Sequence, residues 1–134
     1  MSAPELTPQE IEFLNSIFDM ARENKIQAIA SLLDQGIPVD LTDAKGDTLL
    51  ILAAYHEHQE LVQLLVSRGA NLNALNDRGQ TPLSCSVFRN NLPITKVLLD
   101  AGADSLLGAQ TAPDIAEMFG NEEMKKLLET STTE

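Results

Sequence analysis

The chain has 134 residues, of which 43% are apolar and 22% charged; this composition suits one domain (residues 1–134) with a packed core and excludes an intrinsically disordered chain. Twenty acidic against nine basic residues give a formal net charge of −11, which repels phosphates and argues against nucleic acid and membrane surfaces as partners. The single cysteine, Cys85, excludes an internal disulfide, and because no basic, apolar export segment follows Met1, we expect a cytoplasmic protein.

The first predicted unit along the chain spans residues 8–40. Thr7 and Glu10 have the spacing of a capping box, in which each side chain accepts a hydrogen bond from the other residue's backbone N–H. A helix should therefore begin directly after Thr7. The apolar pattern of residues 29–33 predicts a second helix, which should end before Gly36.

The next two predicted units, residues 41–73 and 74–106, repeat each other at an offset of 33 residues. The offset matches glycines and a threonine of the two units, in the pairs Gly46 and Gly79, Thr48 and Thr81, and Gly69 and Gly102. Self-similarity at such a fixed period is the signature of a repeat architecture.

The fourth predicted unit, residues 107–129, repeats the pattern after a shortening of three residues before Thr111. Thr111 and Asp114 again have the spacing of a capping box. Thr48 and Thr81 are placed as N-caps of the corresponding helices in the central units. Each unit thus carries signals for two helices joined by a tight turn.

One such unit cannot bury its own apolar stripe, so the units should stack, and the two ends of the stack then need polar outer faces. Charged side chains of the opening and closing helix pairs fit this need, namely Glu12, Asp19, Glu23, Asp34, Glu122, Glu123, Lys125 and Lys126. The predicted fold is an all-α solenoid of four helix-turn-helix units with short β-hairpin-like loops.

A unit of the form Asp-x-x-Gly-x-Thr-Pro-Leu-x-x-Ala, two helices, and then Gly-Ala-x-x-Asn resembles the ankyrin repeat. Residues 43–104 carry the resemblance most clearly, and the flanks are similar to divergent caps of a small, stand-alone ankyrin protein of the bacterial type. The histidine usual after Thr-Pro-Leu in this family is Ile51 in the second unit and Ser84 in the third. The hydrogen bond with which that histidine braces the turn should therefore be missing or replaced.

The sequence offers little for catalysis or metal binding. Cys85 lies between apolar neighbours, which favours a packed thiol. His56 and His58 do not complete the three or four ligands of a zinc site, and His58 stands at the position of a structural histidine of the family. Since no glycine-rich phosphate-binding motif occurs either, we expect no cofactor, no metal and no enzymatic activity.

The resemblance implies a binding surface on the concave side, formed by the hairpin tips and the exposed ends of the first helices. Transferred by register, it gives the partner-binding set Lys45, Asp47, Tyr55, His56, Arg78, Gln80, Phe88, Arg89 and Phe119. Tyr55 and Phe88 stand one repeat apart. The sequence leaves two alternatives open for them: anchors for a partner in the groove, or packing across the seam between units.

The main functional hypothesis is an adaptor or regulator that binds a partner protein or peptide on its concave face and is itself a monomer. A self-assembling structural protein is the alternative from another class, and a metal- or thiol-dependent enzyme is a third. The partner's identity does not follow from the sequence.

Overall fold

The computed structural model describes residues 6–132, which form eight α-helices and no β-sheet. The helices are α1 (Pro8–Arg22), α2 (Ile26–Asp34), α3 (Leu49–Tyr55), α4 (Gln59–Ser67), α5 (Pro82–Phe88), α6 (Leu92–Asp100), α7 (Ala112–Phe119) and α8 (Glu122–Thr132). No helix within this range is long and apolar enough to cross a membrane.

The helices pack as consecutive pairs, in which α1 contacts α2, α3 contacts α4, α5 contacts α6 and α7 contacts α8. The first helices of the pairs also pack against each other in one row, and the second helices form a parallel row behind them. The predicted all-α repeat fold is thereby confirmed. The exact bounds of the four units stay a prediction.

One core runs through the whole stack, from Ile17 and Phe18 in α1 to Met124 and Leu128 in α8. Cys85 belongs to it with 1% of its surface exposed, which confirms the packed thiol. The outer face of α1 is less polar than predicted, because Ile11 is 47% exposed there.

The predicted helix starts are confirmed at the threonines. Thr48 accepts a hydrogen bond from the N–H of Ile51, and the capping box of Thr7 and Glu10 is complete, with both bonds 3.1 Å long. The capping box predicted for Thr111 and Asp114 is wrong. Thr111 accepts a 3.3 Å bond from the N–H of Asp114, but the aspartate carboxylate does not accept one from the Thr111 N–H; the motif usually has Glu or Gln at this position.

Ser84 replaces the brace that the family histidine would supply in the third unit. Its hydroxyl accepts a 2.8 Å hydrogen bond from the N–H of Thr81 and donates a 3.0 Å bond to the Thr81 carbonyl. In the second unit the brace is missing, and Ile51, only 2% exposed, fills core space instead. Both outcomes that the sequence left open therefore occur, one in each central unit.

The loops before α3 and α5 form the hairpin-like turns that the sequence predicts. The N–H of Asp43 donates to the carbonyl of Asp47 (3.0 Å), and the N–H of Asn76 donates to that of Gln80 (3.1 Å). Successive loops are joined as well, since the N–H of Asp77 donates to the carbonyl of Lys45 over 3.0 Å. These bonds place the loop tips side by side along one edge of the stack.

Candidate partner-binding groove

A groove with a volume of about 360 Å³ lies between the loop tips and the first helices of the central units. Six of the nine predicted site residues line it, namely Lys45, Asp47, Tyr55, His56, Arg78 and Gln80. The other three, Phe88, Arg89 and Phe119, lie outside this lining. The predicted set is therefore divided between a polar groove and side chains beyond its end.

The groove's loop wall is held by Asn76, which the sequence interpretation missed. Its buried side chain donates from Nδ2 to Asp47 Oδ1 and to Gln80 Oε1, each over 2.8 Å. Its Oδ1 accepts from the backbone N–H groups of Arg78 (3.0 Å) and Gln80 (2.9 Å). The signal was present, because Asn at the start of a tight turn commonly bonds the backbone two residues on.

Asp43 performs the same task one repeat earlier. Its Oδ1 accepts from the N–H groups of Lys45 and Asp47, each over 2.9 Å, and its Oδ2 accepts from Arg22 Nη2 over 3.3 Å. Arg22 also lines the groove. The loop wall is thus braced in both central units by a side chain at the same register position.

Tyr55 and Arg89 form a contact between neighbouring units. The Arg89 guanidinium lies 5.4 Å from the centroid of the Tyr55 ring, within the range of a cation–π interaction. Arg89 Nη2 is also 3.1 Å from Glu57 Oε2. Glu57 has a φ of +62°, a left-handed backbone conformation that is uncommon for residues other than glycine. In this conformation its carboxylate holds the Arg89 guanidinium over the Tyr55 ring.

Phe88 makes a separate contact with Phe119, with ring centroids 5.7 Å apart and an interplanar angle of 60°. Of the two alternatives for Tyr55 and Phe88, packing across the seam is confirmed, because each side chain contacts a neighbouring unit. Tyr55 stays 37%, Phe88 47% and Phe119 53% exposed, and a role as anchors for a partner stays a prediction. We call Phe88 and Phe119 the aromatic patch.

The lining of the groove is cationic relative to the whole chain. It contains three of the nine basic side chains, Arg22, Lys45 and Arg78, but only two of the twenty acidic ones, Asp47 and Asp77. Arg22 is paired with Asp19 and Asp43. Within the described part of the chain, Lys45 and Arg78 have no acidic partner within 4.0 Å.

The two histidines differ in role. His58 Nε2 lies 2.6 Å from the Arg22 carbonyl oxygen and so ties the second helix pair to the first. His56 lies in the groove wall, and its ring stacks on that of His58 with 6.1 Å between the ring centroids. Burial, followed by the nearby His58, Arg22 and Arg89, lowers the pKa of His56 below 6.5, so its imidazole is neutral at pH 7.

The described residues provide little for chemistry at this groove. Burial raises the pKa of the Cys85 thiol to about 12, which suppresses the nucleophilic thiolate at neutral pH. Over residues 6–132, no group of three His, Cys, Asp or Glu side chains is arranged to hold a metal ion. What the groove presents instead is exposed basic, amide and aromatic side chains.

Comparisons with a family profile and with known proteins identify the same family. A family profile described as ankyrin repeats, in three copies, matches residues 17–109. A Pseudomonas aeruginosa protein described as an ankyrin repeat protein is 46% identical over 61 residues, which are 46% of this chain and 36% of that protein. The mouse B-cell lymphoma 3 protein homolog is 38% identical over 80 residues, which are 59% of this chain and 18% of that protein.

The mouse ankyrin repeat and MYND domain-containing protein 1 is 35% identical over 101 residues, 69% of this chain and 10% of that protein. This chain thus spans little more than a third, or less, of the length of these relatives. The profile, however, covers more than half of the chain and includes both central units with their loops. The chain belongs to the ankyrin-repeat family.

Proposed function

We propose that this chain is an adaptor or regulator that binds a segment of a partner protein in the groove and on the adjoining aromatic patch. Ankyrin repeats are protein–protein interaction modules, and the family is generally non-enzymatic. The proposal assigns that general role to one face of this chain. It includes no catalytic activity, no cofactor and no metal.

The observation that carries the proposal is the row of exposed aromatic and arginine side chains beside the groove. Three of the chain's five Phe and Tyr residues, Tyr55, Phe88 and Phe119, are at least 37% exposed on this row. Aromatic and arginine side chains are enriched among the residues that dominate binding at protein interfaces. Aromatic side chains bury large areas with few rotatable bonds, and the planar arginine guanidinium donates several hydrogen bonds and stacks on rings. Arg89 stands among them, already held in place by Glu57.

The single cysteine extends the proposal to a location. Cys85 is buried and unpaired, as expected for a protein that resides in a reducing compartment. The proposal accordingly includes a cytoplasmic location. It also takes the chain to be a monomer, which a sedimentation experiment tests.

The proposal is tested by partner capture with two triple variants of the full chain. One carries Tyr55→Ser, Phe88→Ser and Arg89→Gln. The matched control changes three exposed residues of the second-helix row, Gln63→Ala, Ser67→Ala and Lys96→Gln. Proteins from the source cell that bind each immobilised chain are quantified by mass spectrometry, and circular dichroism melts verify that both variants fold.

We expect the first variant to lose a partner that the wild type and the control retain. Equal retention by both variants would overturn the assignment of the groove. Sedimentation of the purified chain tests the alternative of self-assembly, because a structural assembly predicts oligomers at about 10 μM and the proposal predicts monomers.

A further inference from the structure

We infer that the segment bound in this groove is acidic and carries a large apolar side chain about four residues from its carboxylates. This inference rests on the proposed function, since it names the chemistry of the partner at the same surface. It reverses the expectation from the whole-chain charge of −11, which by itself favours a basic partner.

Lys45 and Arg78 are the cations of the groove that have no acidic partner in the described range. They stand one repeat apart on neighbouring loop tips, which the bond from the Asp77 N–H to the Lys45 carbonyl holds together. Both side chains are exposed, and neither has an ion-pair partner in the described range, whereas Arg22 and Arg89 are already paired. Two adjacent cations are thus available to a partner's carboxylates.

The acidic side chains of the groove offset its cations only in part. The lining holds three cations, Arg22, Lys45 and Arg78, against the two acids Asp47 and Asp77. Asp47 keeps its charge, but its Oδ1 faces the loop wall, where it accepts a 2.8 Å hydrogen bond from Asn76. Two acids just outside the lining, Asp19 and Asp43, are paired with Arg22. At physiological salt, interactions between exposed charges farther apart than about 8 Å are largely screened, so the unpaired Lys45 and Arg78 determine the preference for carboxylates at the loop tips.

The aromatic patch offers an exposed apolar surface next to the groove. Phe88 and Phe119 contact each other edge to face, and about half of each side chain remains exposed. Met118, beside Phe119 in the sequence, is 57% exposed. An apolar side chain of a partner would remove this surface from water.

The spacing follows from the helix geometry. The loop tips and the aromatic patch lie at opposite ends of the first helices, which have seven residues in α5 and so a length of about 10 Å. The patch is also displaced by about one unit along the stack, another 10 Å or so. The diagonal, about 14 Å, corresponds to about four residues of extended chain.

The first test is a selection from random dodecapeptides displayed on phage, with the wild-type chain as the immobilised target. The expected consensus has neighbouring Asp or Glu residues and a Phe, Leu, Met or Tyr about four positions away. A basic or uncharged consensus contradicts the inference, and so does a selection without binders.

The second test measures the affinity of a fluorescent consensus peptide for two charge-reversed variants. Lys45→Glu with Arg78→Glu changes the groove, and Lys96→Glu with Lys126→Glu makes the same change in net charge on exposed or partly exposed side chains elsewhere. We expect a loss of about tenfold or more for the groove variant and about twofold for the control. Equal losses would show that only the overall field matters and would overturn the inference.

A third variant, Phe88→Ser with Phe119→Ser, should also weaken the peptide by about tenfold. Circular dichroism melts separate this loss from unfolding, and Lys45→Gln with Arg78→Gln repeats the charge test with a milder change. Binding of a single-stranded oligonucleotide in preference to the peptide would contradict the inference.

The two proposals can fail separately. If the native partner is captured equally well by the Tyr55, Phe88 and Arg89 variant, the groove is not the binding site and the proposed function fails. If capture is lost but the partner's bound segment is not acidic, only the present inference fails.

Discussion

The contact between the third unit and the last loop can be tested with two glycines that have the same φ angle. Gly108 and Gly102 both have a φ of +105°. A Cβ at Gly108 would lie 2.8 Å from the Gly79 carbonyl oxygen, whereas a Cβ at Gly102 would have no neighbour within 4 Å. The same Gly79 carbonyl accepts the 2.9 Å hydrogen bond from the N–H of Ala109 that joins the two loops.

Alanine at either position incurs the left-handed penalty of about 1–2 kcal/mol. Only Gly108→Ala adds overpacking against backbone, typically about 1–3 kcal/mol, because the last loop must move away from the third unit. We therefore expect Gly102→Ala to lower the free energy of unfolding by about 1–2 kcal/mol and Gly108→Ala to lower it by about 2–5 kcal/mol.

Urea unfolding followed by circular dichroism at 222 nm measures both values, with the slope of the transition as a check that the same surface unfolds. The difference between the variants cancels the shared backbone penalty, so it reports the loop contact alone. A difference below about 0.5 kcal/mol, within the usual scatter of surface substitutions, would refute the reasoning.

Three further predictions concern single side chains. Asn76→Ala removes four hydrogen bonds of the loop wall and should lower the free energy of unfolding by about 3 kcal/mol. The control Asn71→Ala removes one exposed hydrogen bond and should lower it by about 1 kcal/mol. Equal losses in urea titrations would contradict the role of Asn76 in the loop wall. Burial raises the pKa of the Cys85 thiol from 9.0 to about 12, so above pH 9 the thiol ionises in the unfolded chain but not in the folded one. The free energy of unfolding should therefore keep its full Cys85 contribution below pH 9 and fall by about 1.4 kcal/mol per pH unit from pH 9 towards pH 12. The variant Cys85→Ala should lack this component, and parallel stability curves for the two chains would contradict it. Because the pKa of His56 is lowered from 6.5, protonation of its imidazole should add a positive charge to the groove only below pH 6.5. An acidic peptide should therefore bind the wild type more tightly as the pH falls below this value, whereas its affinity for His56→Gln should not rise. A wild-type affinity that does not change with pH would contradict this prediction.

The repeat fold could be predicted because its signals are local. The threonine caps and the glycines after the second helices each depend on residues close in sequence. Their recurrence at an offset of 33 residues then predicts helix pairs that must stack. The failure at Asp114 is also local, since the spacing of a capping box is present but the carboxylate does not accept the bond from the Thr111 N–H. The brace by Ser84 needed atomic positions, because a hydroxyl can bond in several directions.

The groove could be predicted only in part, because its properties depend on contacts between units. Register placed Lys45 and Arg78 on the same face, but their lack of an acidic partner became apparent only when every neighbouring carboxylate had a position. The position of Arg89 likewise depends on a contact between units, because Glu57 and Tyr55 of the preceding unit hold its guanidinium. Asn76 was missed because the repeat pattern shows only its register position. That its side chain is buried and bonds Asp47 and Gln80 follows from the packing of the loops.

Site-specific photocrosslinking in the source cell tests the central claim most directly. A photoreactive p-benzoylphenylalanine replaces Tyr55 in the groove of one chain and exposed Gln63 in the second-helix row of another. Irradiation should then join a partner protein to the chain labelled in the groove and leave the other chain without that adduct. An adduct formed from position 63 alone, or from neither position, would contradict binding in the groove.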